Sequence, residues 1–134
     1  FGIFLQKMEI RTDGFVLPFR KFRDVLNRRT TFISYSEIKW IILGETPLEH
    51  QLVLKDGTRC LFNGPFPAYW FFKNVPENKV VRFERIFRAV AQKLNELRAK
   101  GYDGEIILNK DEILELSKKV ELTEKVKMIE DEGP

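Results

Sequence analysis

A chain of 134 residues is the size of one domain and buries roughly two-thirds of its unfolded surface, and its single cysteine, Cys60, excludes an internal disulfide. Hydrophobic residues make up 43% and there are 12 Phe, which argues against disorder and for a core rich in aromatic rings. The net charge of +3 is asymmetric: residues 103–134 carry −5 and residues 1–102 carry +8, so a basic body leads into an acidic tail.

Residues 3–11, IFLQKMEIR, alternate in their second half, with Met8 and Ile10 on one face and Lys7, Glu9 and Arg11 on the other. That pattern predicts one half-buried strand. Asp13-Gly14 is a hairpin signal, because glycine accepts positive φ without strain. FVLPF resumes the strand with Phe15, Leu17 and Phe19 on one face, and Pro18, which has no N–H, suggests an edge or a bulge. Residues 30–44, TTFISYSEIKWIILG, are β-branched and aromatic and predict one long strand or two shorter ones. QLVL-KDGT-RCLF is the clearest hairpin, with Asp56-Gly57 at its turn. AYWFFKNV, residues 68–75, reads as a further buried segment.

From Lys79 to Lys100 the period changes. Val80, Phe83, Phe87, Val90, Leu94 and Leu97 recur every three or four residues, the stripe of an amphipathic helix lying on a core. Gly101 ends it. EIILN is a candidate short strand, and Asn109 caps a second, shorter helix with Asp111 and Glu112 in its first turn. The acidic tail reads as a solvated helix making no contact with the body, the alternative being a fold-back onto the basic face. Consecutive strands linked by hairpins, followed by helix, argue against a parallel sheet.

The chemistry of a catalytic or metal centre is not visible. His50 and Cys60 are the sole histidine and cysteine, so no cluster with zinc spacing exists and no metal or cofactor is expected. His50 reads as a surface residue before a strand, and Cys60 as a small buried apolar residue. There is no glycine-rich phosphate loop and no nucleophile elbow around Ser34 or Ser36. Paired carboxylates fall mainly in the tail, where solvent leaves them unperturbed. The chain is therefore read as non-enzymatic.

The feature that asks for a function is LPFRKFRDVLNRRT, residues 17–30. Arg20, Lys21, Arg23, Arg28 and Arg29 stand against one acid, Asp24, with Val25 and Leu26 in their midst. Arginine forks match phosphate and carboxylate geometry, and an apolar tip flanked by arginines suits a membrane surface or a protein partner. The alternative is that Val25 and Leu26 pin the loop to the body while the charges face water. Phe66, Tyr69, Trp70, Phe71 and Phe72 read as core, or as a stacking platform beside basic residues. Arg82, Arg85 and Arg88 lie off the apolar stripe of the long helix and read as solvent-facing.

This layout resembles the pleckstrin-homology-like (PH-like) superfold, especially its prokaryotic versions. The resemblance rests on TDGFVLPFRKFRDVLNRRTTFISYSEIKWI, on LVLKDGTR and on RFERIFRAVAQKL, and it covers about residues 3–100. It implies seven strands, where the sequence patterns locate five or six. The fold expected is α+β and mainly β: a curved antiparallel sheet or partly open barrel closed by the 79–100 helix. The division expected is a PH-like domain at 1–101 and an acidic extension at 102–134, short strand plus helix.

The resemblance implies a scaffold that hosts lipid-headgroup binding, peptide binding or assembly, and the job must come from a site. Members that bind inositol phosphates use basic residues in an early strand–strand loop. The function expected is a non-enzymatic binding or assembly module that contacts a protein partner or an anionic membrane surface through the basic loop. The competing reading is a nucleic-acid binder using the basic body and aromatics. No secretory leader and no apolar run of about 18 residues are seen, so the expected place is the cytoplasm. A membrane-anchoring segment before Phe1 would make this a membrane-tethered cytosolic domain.

Overall fold

The computed structural model describes residues 3–5, 8–17, 31–45, 49–61 and 76–122. Its strands are β1 (Ile3–Leu5), β2 (Met8–Ile10), β3 (Gly14–Leu17), β4 (Thr31–Ser34), β5 (Ile38–Ile42), β6 (Gln51–Leu54) and β7 (Arg59–Leu61). Its helices are α1 (Glu77–Ala99) and α2 (Lys110–Ser117), with a 3₁₀ turn at Tyr35–Glu37. The architecture is α+β and antiparallel, as the hairpin signals predict. The strands form two sheets rather than one curved sheet or a barrel: β1-β2-β3-β4, and β5-β6-β7. Among the described residues no strand pairing joins the two or closes either.

The expected single strand at 3–11 is two strands, because β1 pairs with β2 through Ile3↔Ile10, Phe4↔Glu9 and Leu5↔Met8. The 30–44 run also divides. Glu37 Oε2 accepts the backbone N–H of Ser34 at 2.9 Å, and the 3₁₀ turn so anchored hands the chain from one sheet to the other. Gly14 plays a different part from the one expected. It begins β3 with no positive φ, and its want of a side chain matters because an added Cβ would lie 2.3 Å from the carbonyl oxygen of Ile33. β3 pairs on both sides, so it is a central strand, not the edge suggested by Pro18, which itself lies outside the described residues. The 51–61 hairpin turns at Gly57 as read.

Helix α1 ends in a Schellman arrangement. Gly101, at φ +85°, donates its N–H to Arg98 O at 3.0 Å, and Tyr102 N donates to Leu97 O at 3.0 Å. The left-handed backbone there favours the one residue without a Cβ. Asn109 caps α2 as predicted, its Oδ1 accepting from Glu112 N at 2.7 Å. EIILN is not a paired strand. Ile106 and Leu108 turn inward, Ile107 is 62% exposed, and Leu108 N donates to Thr12 O at 2.8 Å.

One core gathers both sheets and both helices. Met8, Ile10, Phe15, Leu17, Ile33 and Tyr35 meet Ile38, Ile41, Leu52, Leu54 and Cys60, and Phe83, Phe87, Val90 and Leu94 cover them. Cys60 is buried as expected. The extension joins this core through Ile106, Leu108 and Ile113, so α2 is packed and the expectation of a solvated helix touching nothing is corrected. Beyond it Val120 and Leu122 pack with Val81 and Ala89 on another face of α1. Phe87 stands at the centre, 5.1 Å from Phe15 and 4.8 Å from the His50 ring, centroid to centroid.

Phe87→Ala is expected to cost about 3–5 kcal/mol, because a central ring leaves a cavity that a close-packed core fills only in part. Denaturant melts check this, and a loss under about 1 kcal/mol would contradict the central packing.

Tyr35 yields a second expectation. Its hydroxyl donates to Arg11 O at 2.5 Å. Burial, and then the charge of Asp13, hold its phenol well above the ordinary range. A folded-state pKa above the unfolded value gives stability that is complete below the unfolded pKa of about 10 and is lost as pH rises past it. The loss approaches about 1.4 kcal/mol per pH unit for the one proton. Tyr35→Phe is expected to be less stable at neutral pH by about 1 kcal/mol, the worth of its hydrogen bond, and to lose less than the parent chain above about pH 10. Parallel falls for both proteins in paired denaturant melts would refute it.

Candidate functional site

The basic stretch is the connection between two neighbouring strands. β3 ends at Leu17, β4 begins at Thr31, and these two residues face each other in register. Arg20, Lys21, Arg23, Val25, Leu26, Arg28 and Arg29 all fall in that connection and outside the described residues, as do Phe66, Tyr69, Trp70, Phe71 and Phe72. Two facts of its setting follow from the pairing. It is the third strand–strand connection of the sheet, not the first. The strand ends that bound it, of β3 and β4, lie at the same end of the sheet as the end of β1 and the start of β2, as in any antiparallel meander.

The helix arginines have three different surroundings. Arg82 is exposed, as expected. Arg85 reaches the extension, its Nη1 donating to Val120 O at 2.8 Å. Arg88 is only 8% exposed, which corrects the expectation of a solvent-facing side chain.

Arg88 belongs to a buried polar ring that also corrects the reading of His50. His50 is 1% exposed and Glu84 is 0% exposed. Gly44 N donates to His50 Nδ1 at 3.0 Å. That leaves the ring proton on Nε2, which lies 2.8 Å from both carboxylate oxygens of Glu84. Arg88 Nε donates to Glu84 Oε1 at 2.6 Å, and Arg88 Nη2 donates to Gly44 O. The cycle closes on Gly44, whose N–H and C=O are both used. Catalysis needs such groups in contact with a substrate. These are sealed, each holding its neighbour, and what they position are Gly44 and His50 against α1.

The ring continues as a polar stripe. Asn95 Oδ1 accepts from Ile41 N at 2.9 Å, and Asn95 Nδ2 donates to Ile41 O at 2.9 Å. Arg98 Nε donates to Ile38 O at 2.9 Å, and its Nη2 donates to Tyr35 O at 3.1 Å and Ser36 O at 3.2 Å. Positions 84, 88, 95 and 98 each follow a member of the apolar stripe, namely Phe83, Phe87, Leu94 and Leu97. One residue is 100° of helix, so the polar stripe flanks the apolar one. Of this set the sequence patterns point only to Arg88 and His50, and place both in solvent. The i, i+4 spacing of Glu84 and Arg88 was the visible signal.

Among the described residues the remaining surface features are few. Ser36, Glu37, Leu54, Lys55 and Asp56 line an open depression of about 260 Å³, and Lys55 Nζ is paired with Asp103 Oδ1 at 2.5 Å. Trp40 and Ile42 are exposed on β5, and the Arg11 guanidinium lies 5.9 Å from the centroid of the exposed Phe32 ring. Among the described residues no group of three or more His, Cys, Asp or Glu side chains could hold a metal. None of the described helices is long and apolar enough to cross a membrane. Comparison with protein-family models, curated proteins and solved structures returned no match.

Replacing Glu84 by Leu strands the buried guanidinium of Arg88 and removes the partner of His50 Nε2. A loss of about 3–5 kcal/mol is expected, the usual cost of breaking a buried ion pair from one side. Glu84→Gln, which keeps one acceptor, should lose less. Denaturant melts of the two variants check the order, and an equal or reversed order would show that the ring contributes nothing.

Proposed function

We propose that this chain is a non-enzymatic binding or assembly module that meets an anionic surface through its β3–β4 connection. One observation carries the reading. Residues 18–30 hold five basic side chains, one acid and the apolar pair Val25-Leu26, and the register match of Leu17 with Thr31 fixes both ends of that connection. Charges so confined act on one target together, and an apolar pair among arginines is suited to the interface of an anionic bilayer. A protein partner with a matching acidic patch would use the same chemistry.

Two further features support the reading. The order of a four-stranded sheet, a three-stranded sheet and then a long helix agrees with a PH-like scaffold of seven strands. The titratable cluster around Glu84 is sealed by its own hydrogen bonds and offers no open reactive group. Function then rests on a connection carried by a rigid sheet, where binding residues commonly lie.

Each charge-assisted contact is worth about 1.5–3 kcal/mol when desolvated and far less when exposed. The chain is expected to sediment with vesicles containing anionic lipid at about 0.1 M salt, where screening still permits local attraction. Arg20, Lys21, Arg28 and Arg29 changed together to Ser should leave the fold intact and abolish that retention. The same change at Arg82 and Arg85 should matter less. Parent protein that ignores anionic vesicles but binds acidic peptides moves the target to a protein. Binding to DNA or RNA alone, falling steeply with salt, would overturn the proposal in favour of nucleic acid.

A further inference from the structure

The outer edge of β5 is an unusual strand edge. A strand at the side of a sheet presents unpaired N–H and C=O groups, and these are a template for another strand. β5 has β6 on one side. On the other side its backbone groups are taken up by side chains of α1. Arg98 Nε donates to Ile38 O, and Asn95 both accepts from Ile41 N and donates to Ile41 O.

The two-way contact of Asn95 has a specific meaning. In an antiparallel ladder, a hydrogen-bonded pair of residues exchanges both of its N–H···O bonds. A carboxamide is a side chain that offers one donor and one acceptor at that spacing. Asn95 therefore stands where the residue of a neighbouring strand would stand. An arginine or a lysine satisfies only the carbonyl, and an aspartate only the N–H.

The strand behind this lock is well suited to pairing. Its sequence, IKWII, is β-branched and aromatic apart from Lys39. Trp40 and Ile42, on either side of Ile41, are 41% and 43% exposed. An open edge would present matched backbone groups and apolar side chains together. Proteins guard such edges with charges, bulges or cover. Here Lys39 and the register shift between Ile38 and Trp40 guard the first half of the strand. The second half, 40–42, holds neither, and that is where Asn95 sits.

We infer that Asn95 is a lock on the β5 edge, which keeps this chain from pairing edge to edge with a second copy of itself. The interaction surface is the outward edge of residues 40–42, and the partner it fits is the same edge in another molecule. The lock is separate from the basic connection, which joins strands of the other sheet.

The test is Asn95→Leu, which keeps about the length of the side chain, does not lower helix propensity and removes both hydrogen bonds. Circular dichroism reports whether it folds, light scattering its size as concentration is raised, and amide hydrogen exchange the state of Ile41 N. The expected result is a folded chain in which Ile41 N exchanges about tenfold faster or more when dilute, and which associates as concentration rises. Adding Trp40→Lys, a charge on the opened edge, should return it to the monomer. A folded Asn95→Leu chain that stays monomeric at every concentration overturns the inference and leaves Asn95 as a helix-docking residue only. Association that Trp40→Lys does not reverse overturns it as well. If Asn95→Leu does not fold, Asn95→Ala decides: it removes both hydrogen bonds and adds neither bulk nor charge to the edge. Association reversed by Trp40→Lys then supports the lock, and a monomer overturns it.

Discussion

The contact on which the rest of this structure depends is that between α1 and the backbone of residues 35–44. Burying an apolar stripe would hold the helix to the sheets, but it would not fix the helix along its own axis. Apolar packing is non-directional, and a shift of one turn replaces one set of side chains by another of the same kind. Hydrogen bonds from Arg88, Asn95 and Arg98 to named carbonyls are directional, and they are met together in one placement only. The apolar stripe supplies most of the stabilisation, at roughly 25 cal/mol per Å² buried, and the polar stripe supplies the register. A buried carboxylate and guanidinium are tolerable here because the ring through Gly44 leaves each with partners.

The same helix is covered a second time. Val81 and Ala89 meet Val120 and Leu122, and Arg85 holds Val120 O. A long helix lying on one core should have one dry face and one wet face. The extension takes up part of the wet face at Arg85, and Gly44 meets Arg88, so Arg82, Arg85 and Arg88, at three-residue intervals, are exposed, half-buried and buried in turn. Reasoning from periodicity assumed a single neighbour for the helix. Two neighbours, Gly44 with the buried ring around it and the extension, make that assumption fail for two of the three.

What the sequence made legible were elements whose signal is local. The Asp56-Gly57 hairpin, the helix that Gly101 ends and the Asn109 cap each follow from a few adjacent residues. The misreadings involve partners distant in the chain. The reversal between β1 and β2 carries no Gly, Pro, Asn or Asp at residues 6–7, so alternation ran on as one strand. His50 was read as exposed because its neighbours Glu49 and Gln51 are polar, yet its ring stacks on Phe87 and meets Glu84, 34 residues on. The polar stripe of α1 was present in the sequence, one residue behind the apolar stripe, but nothing local tells a buried Asn or Arg from a solvated one. The basic connection was legible as composition, and the structure adds where it is rooted.

That rooting divides the four-stranded sheet into two unlike ends. At one end the β2–β3 turn is held by three hydrogen bonds, from the 3₁₀ turn and from the extension. Tyr35 N donates to Asp13 O at 2.9 Å, the Tyr35 hydroxyl to Arg11 O at 2.5 Å, and Leu108 N to Thr12 O at 2.8 Å. Backbone carbonyls of the turn are thus spent on the fold. At the other end β1 ends and β2 begins, and β3 ends and β4 begins; in sequence, residues 18–30, between these last two, hold the five basic side chains. A binding segment works best when the scaffold beneath it is rigid, because then only the segment itself must be ordered on contact. The tied end and the central position of β3 supply that rigidity.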